Sequence, residues 1–155
     1  MAELKARLQA DLTTAIKARE TVRAGALRMT LAAITTEQVA GKTARELSDD
    51  EVLKVIAREV KKRREAAEAF GGAGRTEQAE LERAESAILE DYLPAQLTAA
   101  ELEAIVDEVV AELTAQLGEK PAQRQMGQVM KGVNAKVAGR AEGGAVAAVV
   151  KAKLA

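Results

Sequence analysis

The sequence contains no cysteine, no histidine and no tryptophan, and it has only one tyrosine and one phenylalanine. The lack of cysteine excludes disulfides, zinc–thiolate sites and thiol nucleophiles. The lack of histidine removes the commonest general base and transition-metal ligand, and it excludes a Ser-His-Asp triad. We therefore predict no catalytic residue, no metal site and no cofactor.

Long apolar runs are also missing. The opening residues, MAELKARLQADL, contain no apolar stretch of the kind found in secretory signals. No uncharged apolar run reaches the roughly 20 residues that cross a bilayer. We therefore expect a cytoplasmic protein that makes no membrane contact.

The 155 residues have apolar spacing of the helical kind throughout, which predicts an all-α fold. Pro94 disfavours helix at the residue before it and divides the pattern. We predict an N-terminal domain of about four helices over residues 1–93 and a three-helix tail domain over residues 94–155. The apolar positions expected to face the cores include Ile16, Leu81 and Leu117.

Two helix starts have a specific signature. Ser48 is followed three residues later by Glu51, which predicts a capping box in which each side chain bonds the other residue's N–H. Thr98 and Glu101 repeat this spacing just after Pro94. The third helix is predicted to end at Gly71-Gly72, because glycine is common just past a helix end.

The third helix also carries charge on two sides. Lys54, Arg58 and Lys61 fall on one side of it and form a basic ridge, which is either a secondary binding surface or an ordinary solvated face. Glu59 and Arg63 project onto its apolar side at a spacing that lets them pair. We interpret them as a semi-buried ion pair, which either Glu82 or Glu85 of the fourth helix would extend.

The net charge of −1 provides no overall field for a polyanion, so a basic surface must be local. Residues 124–155 hold six basic residues and one acidic residue, a balance of +5, whereas residues 94–123 hold one lysine and six acids. The six are Arg124, Lys131, Lys136, Arg140, Lys151 and Lys153. Lysine and arginine on one helix face attract phosphates and release counterions.

Glycines interrupt this basic segment, which reads MGQVMKGVNAKVAGR over residues 126–140. Gly127 and Gly132 have no side chain, so another backbone can approach closely at these positions. That backbone belongs either to a neighbouring helix or to a nucleic acid, and composition alone leaves both readings open. Exposed aromatics, which stack on single-stranded bases, are scarce here, so a structured RNA suits the chain better.

Four segments together resemble the GatB/YqeY family, and most closely its stand-alone YqeY-like members. They are LRMTLAAI, REVKKRREAAEAF, AGRTEQAELERAESAILEDYLPAQLTAAEL and MGQVMKGVNAKVAGRAEGGAVAAVVKAKL. The family is similar to the tail of the B subunit of tRNA-dependent amidotransferase, a carbon–nitrogen ligase with glutamine as amido-nitrogen donor. The resemblance implies two all-α domains and a tRNA-binding tail, whereas the enzyme's chemistry lies in a separate β-rich domain that has no counterpart here. It implies the following RNA-facing residues: Gly127, Lys131, Gly132, Lys136, Gly139 and Arg140.

The leading hypothesis is therefore a non-catalytic protein of translation that binds tRNA or another structured RNA. It would act with an amidotransferase or an aminoacyl-tRNA synthetase. The alternative is a protein–protein adaptor whose tail docks a partner helix. Salt dependence separates the two, because only phosphate contacts weaken steeply with salt. A third hypothesis, a free-standing enzyme, requires a metal or nucleotide at the glutamate-rich helices.

Overall fold

The computed structural model describes residues 2–155, which contain seven α-helices, one short 3₁₀ helix and no strand. The prediction of an all-α fold is confirmed. The helices are α1 (Glu3–Lys17), α2 (Thr21–Gln38), α3 (Asp49–Gly72), α4 (Thr76–Glu90), α5 (Ala99–Leu117), α6 (Met126–Val137) and α7 (Gly143–Leu154), with the 3₁₀ helix at Gln123–Gln125.

The chain divides between Leu93 and Pro94 into two compact units. The N-terminal unit packs α1–α4 around a core of large aliphatic side chains that includes Leu8, Leu27 and Ile56. The C-terminal unit packs α5–α7 around a core made largely of valine. Independent folding of residues 1–93 and 94–155 stays a prediction.

The start of α3 confirms the first capping box. The Glu51 N–H donates to Ser48 Oγ at 3.3 Å, and the Ser48 N–H donates to Glu51 Oε1 at 3.5 Å. The second capping box is only half formed. The Glu101 N–H donates to Thr98 Oγ1 at 3.1 Å, but among the described residues the Thr98 N–H makes no hydrogen bond to the Glu101 side chain. A single side-chain acceptor still satisfies one of the free N–H groups at the start of α5.

The predicted end of α3 is wrong by two residues. Gly71 and Gly72 lie inside the helix, which is followed by Ala73. The left-handed residue that turns the chain toward α4 is Gly74, with φ of 76°. Glycine adopts this conformation without the steric cost that other residues incur.

Three large apolar residues predicted to be core are instead exposed. Ile16 and Leu117 lie in the last turns of α1 and α5 and are 47% and 43% exposed. Leu81 is 44% exposed because α4 buries Ala79, Ser86 and Leu89 instead. Leu81 projects from α4 roughly 130° away from the centre of this buried face.

The predicted pair of Glu59 and Arg63 is confirmed, with Glu85 of α4 as an additional partner. Arg63 is only 2% exposed, and its Nε donates to Glu85 Oε2 at 3.2 Å. Its Nη1 donates to Glu59 Oε2, and its Nη2 lies 3.6 Å from Met29 Sδ. One buried guanidinium therefore links α2, α3 and α4.

Tyr92 attaches the end of the N-terminal unit to α1. Its hydroxyl donates to Asp11 Oδ2, and the Arg7 guanidinium lies 4.8 Å from the centre of its ring. Burial, together with the Asp11 carboxylate, raises the pKa of the Tyr92 phenol to about 12. The chain segment before Pro94 is thereby held against the first helix.

None of the helices between residues 2 and 155 combines the length and the apolar character that crossing a bilayer requires.

Candidate functional site

Helix α6 has one buried side and one exposed side. Its buried side consists of Val129, Val133 and Val137, which recur every four residues and enter the core of the C-terminal unit. The opposite side, here called the α6 outer face, consists of Gly127, Gln128, Lys131, Asn134 and Ala135, all of them exposed. The helix contains no acidic residue, so this face presents positive charge, amides and small side chains.

Two predicted site residues carry accessible positive charge here. Lys131 lies on the α6 outer face and makes no ion pair within the described part of the chain. Arg124 lies in the 3₁₀ helix just before α6, and its Nη2 is 3.7 Å from Glu119 Oε1. Both partners of that pair are more than 70% exposed, so solvent screens it. The charges of Arg124 and Lys131 are therefore available to a ligand.

The two glycines of α6 have different surroundings. A Cβ added at Gly127 meets no atom within 4 Å, so this position is open to solvent. A Cβ added at Gly132 lies 2.9 Å from Val109 Cγ1 of α5, closer than real Cβ contacts come. Gly132 is thus explained by packing between α5 and α6, whereas packing does not explain Gly127.

Lys136 is directed toward α5 and away from the α6 outer face. Its Nζ donates to Glu108 Oε1 at 2.7 Å and to Glu112 Oε1 at 2.8 Å. These two hydrogen bonds, of which the bond to Glu108 has the larger effect, raise the pKa of the Lys136 ammonium above its usual value. Any ligand of Lys136 must compete with these two carboxylates.

Arg140 closes the end of α6. Its Nε donates to the Val137 carbonyl at 3.0 Å and its Nη2 to the Lys136 carbonyl at 2.9 Å. A cation that bonds these carbonyls is favourable, because the last carbonyls of a helix are otherwise unpaired and carry partial negative charge. Ala138 and Gly139 follow in left-handed conformation, with φ of 49° and 80°, and turn the chain toward α7.

Acidic residues of 94–123 and basic residues of 124–155, which are separate along the sequence, form ion pairs in the folded unit. Besides Lys136, Lys153 of α7 donates to Asp107 of α5, with 3.0 Å between Nζ and Oδ1. Residues 94–155 contain seven basic and seven acidic residues, so the unit as a whole has no net charge. Sequence reasoning missed these partners, although Glu108 and Glu112 stand four residues apart and so share one side of α5.

The predicted basic ridge of α3 lies on the other unit. Lys54 and Lys61 are exposed there. Arg58 Nη2 donates to Glu37 Oε2 of α2 at 3.2 Å, and both of these side chains are partly exposed. Arg58 thus has a partner within the fold.

Clusters of acidic side chains and surface cavities are the other places where a ligand could bind. No group of three or more acidic, histidine or cysteine side chains within residues 2–155 is placed to hold a metal ion. A cavity of about 370 Å³ opens at the α1–α2 turn, where Ile16, Arg19, Ala24 and Arg28 are among its lining residues. It is an open depression, and its lining includes no nucleophile paired with a base.

A family model described as Yqey-like protein matches residues 5–154. No curated protein matches the chain. Because the family model covers nearly every residue of the two units, the chain belongs to the Yqey-like protein family.

Proposed function

We propose that the chain is a non-catalytic RNA-binding protein whose C-terminal unit contacts the backbone of tRNA or a similarly structured RNA. The observation that carries the proposal is the α6 outer face. It is exposed, it contains no carboxylate, and its Lys131 and the adjoining Arg124 are available cations. The resemblance of the segment around it to the tail of the amidotransferase B subunit points to the same ligand.

The chemistry of this face suits a sugar–phosphate backbone. Lys131 and Arg124 would contact phosphates, and the amides of Gln128 and Asn134 would bond phosphate oxygens or 2′-hydroxyls. Gly127 adds no side chain that would hold the backbone away. Recognition would depend on the shape of a double-helical stem, since A-form RNA presents its 2′-hydroxyls along a wide, shallow minor groove.

Base stacking contributes little to this proposal. Tyr92 is 5% exposed and Phe70 is half-buried, and these are the only aromatic residues of the chain. Proteins that bind single strands without sequence preference use exposed aromatic rings. A folded RNA is therefore the preferred ligand, with an amidotransferase or an aminoacyl-tRNA synthetase as the proposed protein partner.

Fluorescence-detected binding of unfractionated tRNA at several salt concentrations tests the proposal. The variant Arg124→Ala/Lys131→Ala is compared with Lys17→Ala/Arg28→Ala, which removes the same charge from exposed positions on α1 and α2. The first variant should lower the slope of log K against log salt by about 0.9 for each lost contact with a double-helical stem. The control should bind as the unmodified chain does. Absence of tRNA binding, or equal loss in both variants, would contradict the proposal.

A second candidate function is the adaptor whose tail docks a partner helix. It is favoured by the outward side of α7, where Gly144, Ala145, Ala148 and Ala152 are exposed. Small side chains let two helices approach closely. Binding of this kind to a protein would change little with salt, which separates it from RNA binding.

A further inference from the structure

Helix α5 places acidic side chains on both sides of its buried face. Glu108 and Glu112 lie on the side where Lys136 of α6 approaches, and Asp107 lies on the side where Lys153 of α7 approaches. Between them, Val106 and Val109 enter the core. The helix thus holds α6 and α7 by apolar packing and neutralises one lysine from each of them.

These ion pairs are accessible to water. Glu108 and Glu112 are 59% and 53% exposed, and Lys136 is 34% exposed. Pairs of this kind contribute little to stability, because solvent screens them and their side chains lose freedom when they pair. A phosphate can therefore reach Lys136 without unfolding any helix, provided that it displaces the carboxylates.

We propose that Glu108 and Glu112 compete with RNA phosphate for Lys136 and thereby limit the affinity of the C-terminal unit for RNA. This inference rests on the proposed function, since it concerns the strength of that binding. Lys136 together with its two carboxylates carries a net charge of −1, so a phosphate approaching it is repelled. When both carboxylates are neutralised, the same site carries +1 and becomes an additional phosphate contact.

The size of the effect follows from counterion release. One further phosphate contact on a double-helical stem makes the slope of log K against log salt steeper by about 0.9. If that contact contributes only counterion release, affinity rises about eightfold at 0.1 M salt and about fourfold at 0.2 M salt. The gain should therefore shrink as salt is added.

The test measures binding of unfractionated tRNA to the full chain and to Glu108→Gln/Glu112→Gln. Glutamine keeps the size of glutamate and one acceptor oxygen while it removes the charge. The matched control is Glu77→Gln/Glu80→Gln, which makes the same charge change at exposed α4 residues that form no ion pair within residues 2–155. A third variant adds Lys136→Ala to the α5 pair, and circular dichroism verifies that each variant is helical.

The expected result is tighter binding and a steeper salt slope for the α5 variant, no comparable change for the control, and loss of the gain when Lys136 is also replaced. If the unmodified chain binds tRNA and the α5 variant binds equally well, the inference is overturned while the proposed function stands. A gain that persists without Lys136, or that the control reproduces, also overturns it, because the effect is then one of overall charge. If neither the unmodified chain nor the α5 variant binds tRNA, the proposed function fails, and the inference fails with it.

Discussion

Replacing Gly132 and Gly127 separately by alanine should change the stability of the C-terminal unit in opposite directions. Both glycines lie in α6, and alanine is the better helix former at each position by up to about 1 kcal/mol. At Gly127 the new methyl group meets no atom within 4 Å. This substitution should therefore stabilise the unit, by about 0.5 kcal/mol because the residue lies in the first turn.

At Gly132 the helix-forming gain is opposed by a steric clash. The new methyl group would lie 2.9 Å from Val109 Cγ1, and Val109 is 2% exposed in a packed core. Valine is stiff at χ1, so it has no easy alternative position. Overpacking of a core costs about 1–3 kcal/mol, which exceeds the gain and leaves a net destabilisation of about 1 kcal/mol.

Urea unfolding followed by circular dichroism measures both changes, and hydrogen exchange of the α5 and α6 amides assigns them to residues 94–155. Val109→Ala should remove the clash. A double-mutant cycle between positions 109 and 132 should then show a coupling of about 1 kcal/mol. If Gly132→Ala stabilises the chain as much as Gly127→Ala does, the close packing of α5 on α6 is refuted.

Three further predictions concern the N-terminal unit. Ser48→Ala should lower the free energy of unfolding by about 1 kcal/mol through loss of the α3 cap, and an unchanged urea midpoint would show that the cap contributes nothing. Arg63→Leu should cost about 3 kcal/mol, because Glu59 and Glu85 lose their buried partner, whereas leucine at all three positions should be nearly neutral in the same urea assay. Absorbance titration of Tyr92, the only tyrosine, should give a midpoint near 12 in the folded chain and near 10 in urea. Because the unfolded chain loses this proton first, stability should fall as pH rises from 10 to 12, and equal midpoints would contradict the burial of the Tyr92 phenol and its contact with Asp11.

Much of the fold could be predicted from local patterns in the sequence. The spacing of apolar residues identified an all-α chain, and the residues Ser48 and Glu51 located the start of α3 because capping depends on neighbours within one turn. The prediction that Ile16 and Leu117 face the core was wrong, because the helices extend past the core at these residues. Periodicity shows which side of a helix is apolar, but it does not show how far the neighbouring helices cover it.

The candidate site was less predictable, because its geometry depends on contacts between helices. Gly127 and Gly132 look equivalent in the sequence, yet only Gly132 lies against a valine of α5. Lys131 and Lys136 likewise appear as two cations of one basic segment, yet only Lys136 meets carboxylates that are more than 20 residues away in the chain. Tertiary pairing of this kind decides which charges are available, and a charge count along the sequence does not contain it.

A titration of the ¹⁵N-labelled chain with unfractionated tRNA, followed by amide chemical shifts, shows directly whether the α6 outer face binds RNA. We expect the largest shifts and line broadening at Gly127, Gln128, Lys131 and Asn134 and at the adjoining Arg124. Amides of the N-terminal unit should change little, with the Lys54–Lys61 ridge of α3 as the site to inspect for secondary contact. Perturbation centred on the N-terminal unit, or a spectrum that tRNA leaves unchanged at low salt, would contradict the assignment of the α6 outer face as the RNA-binding surface.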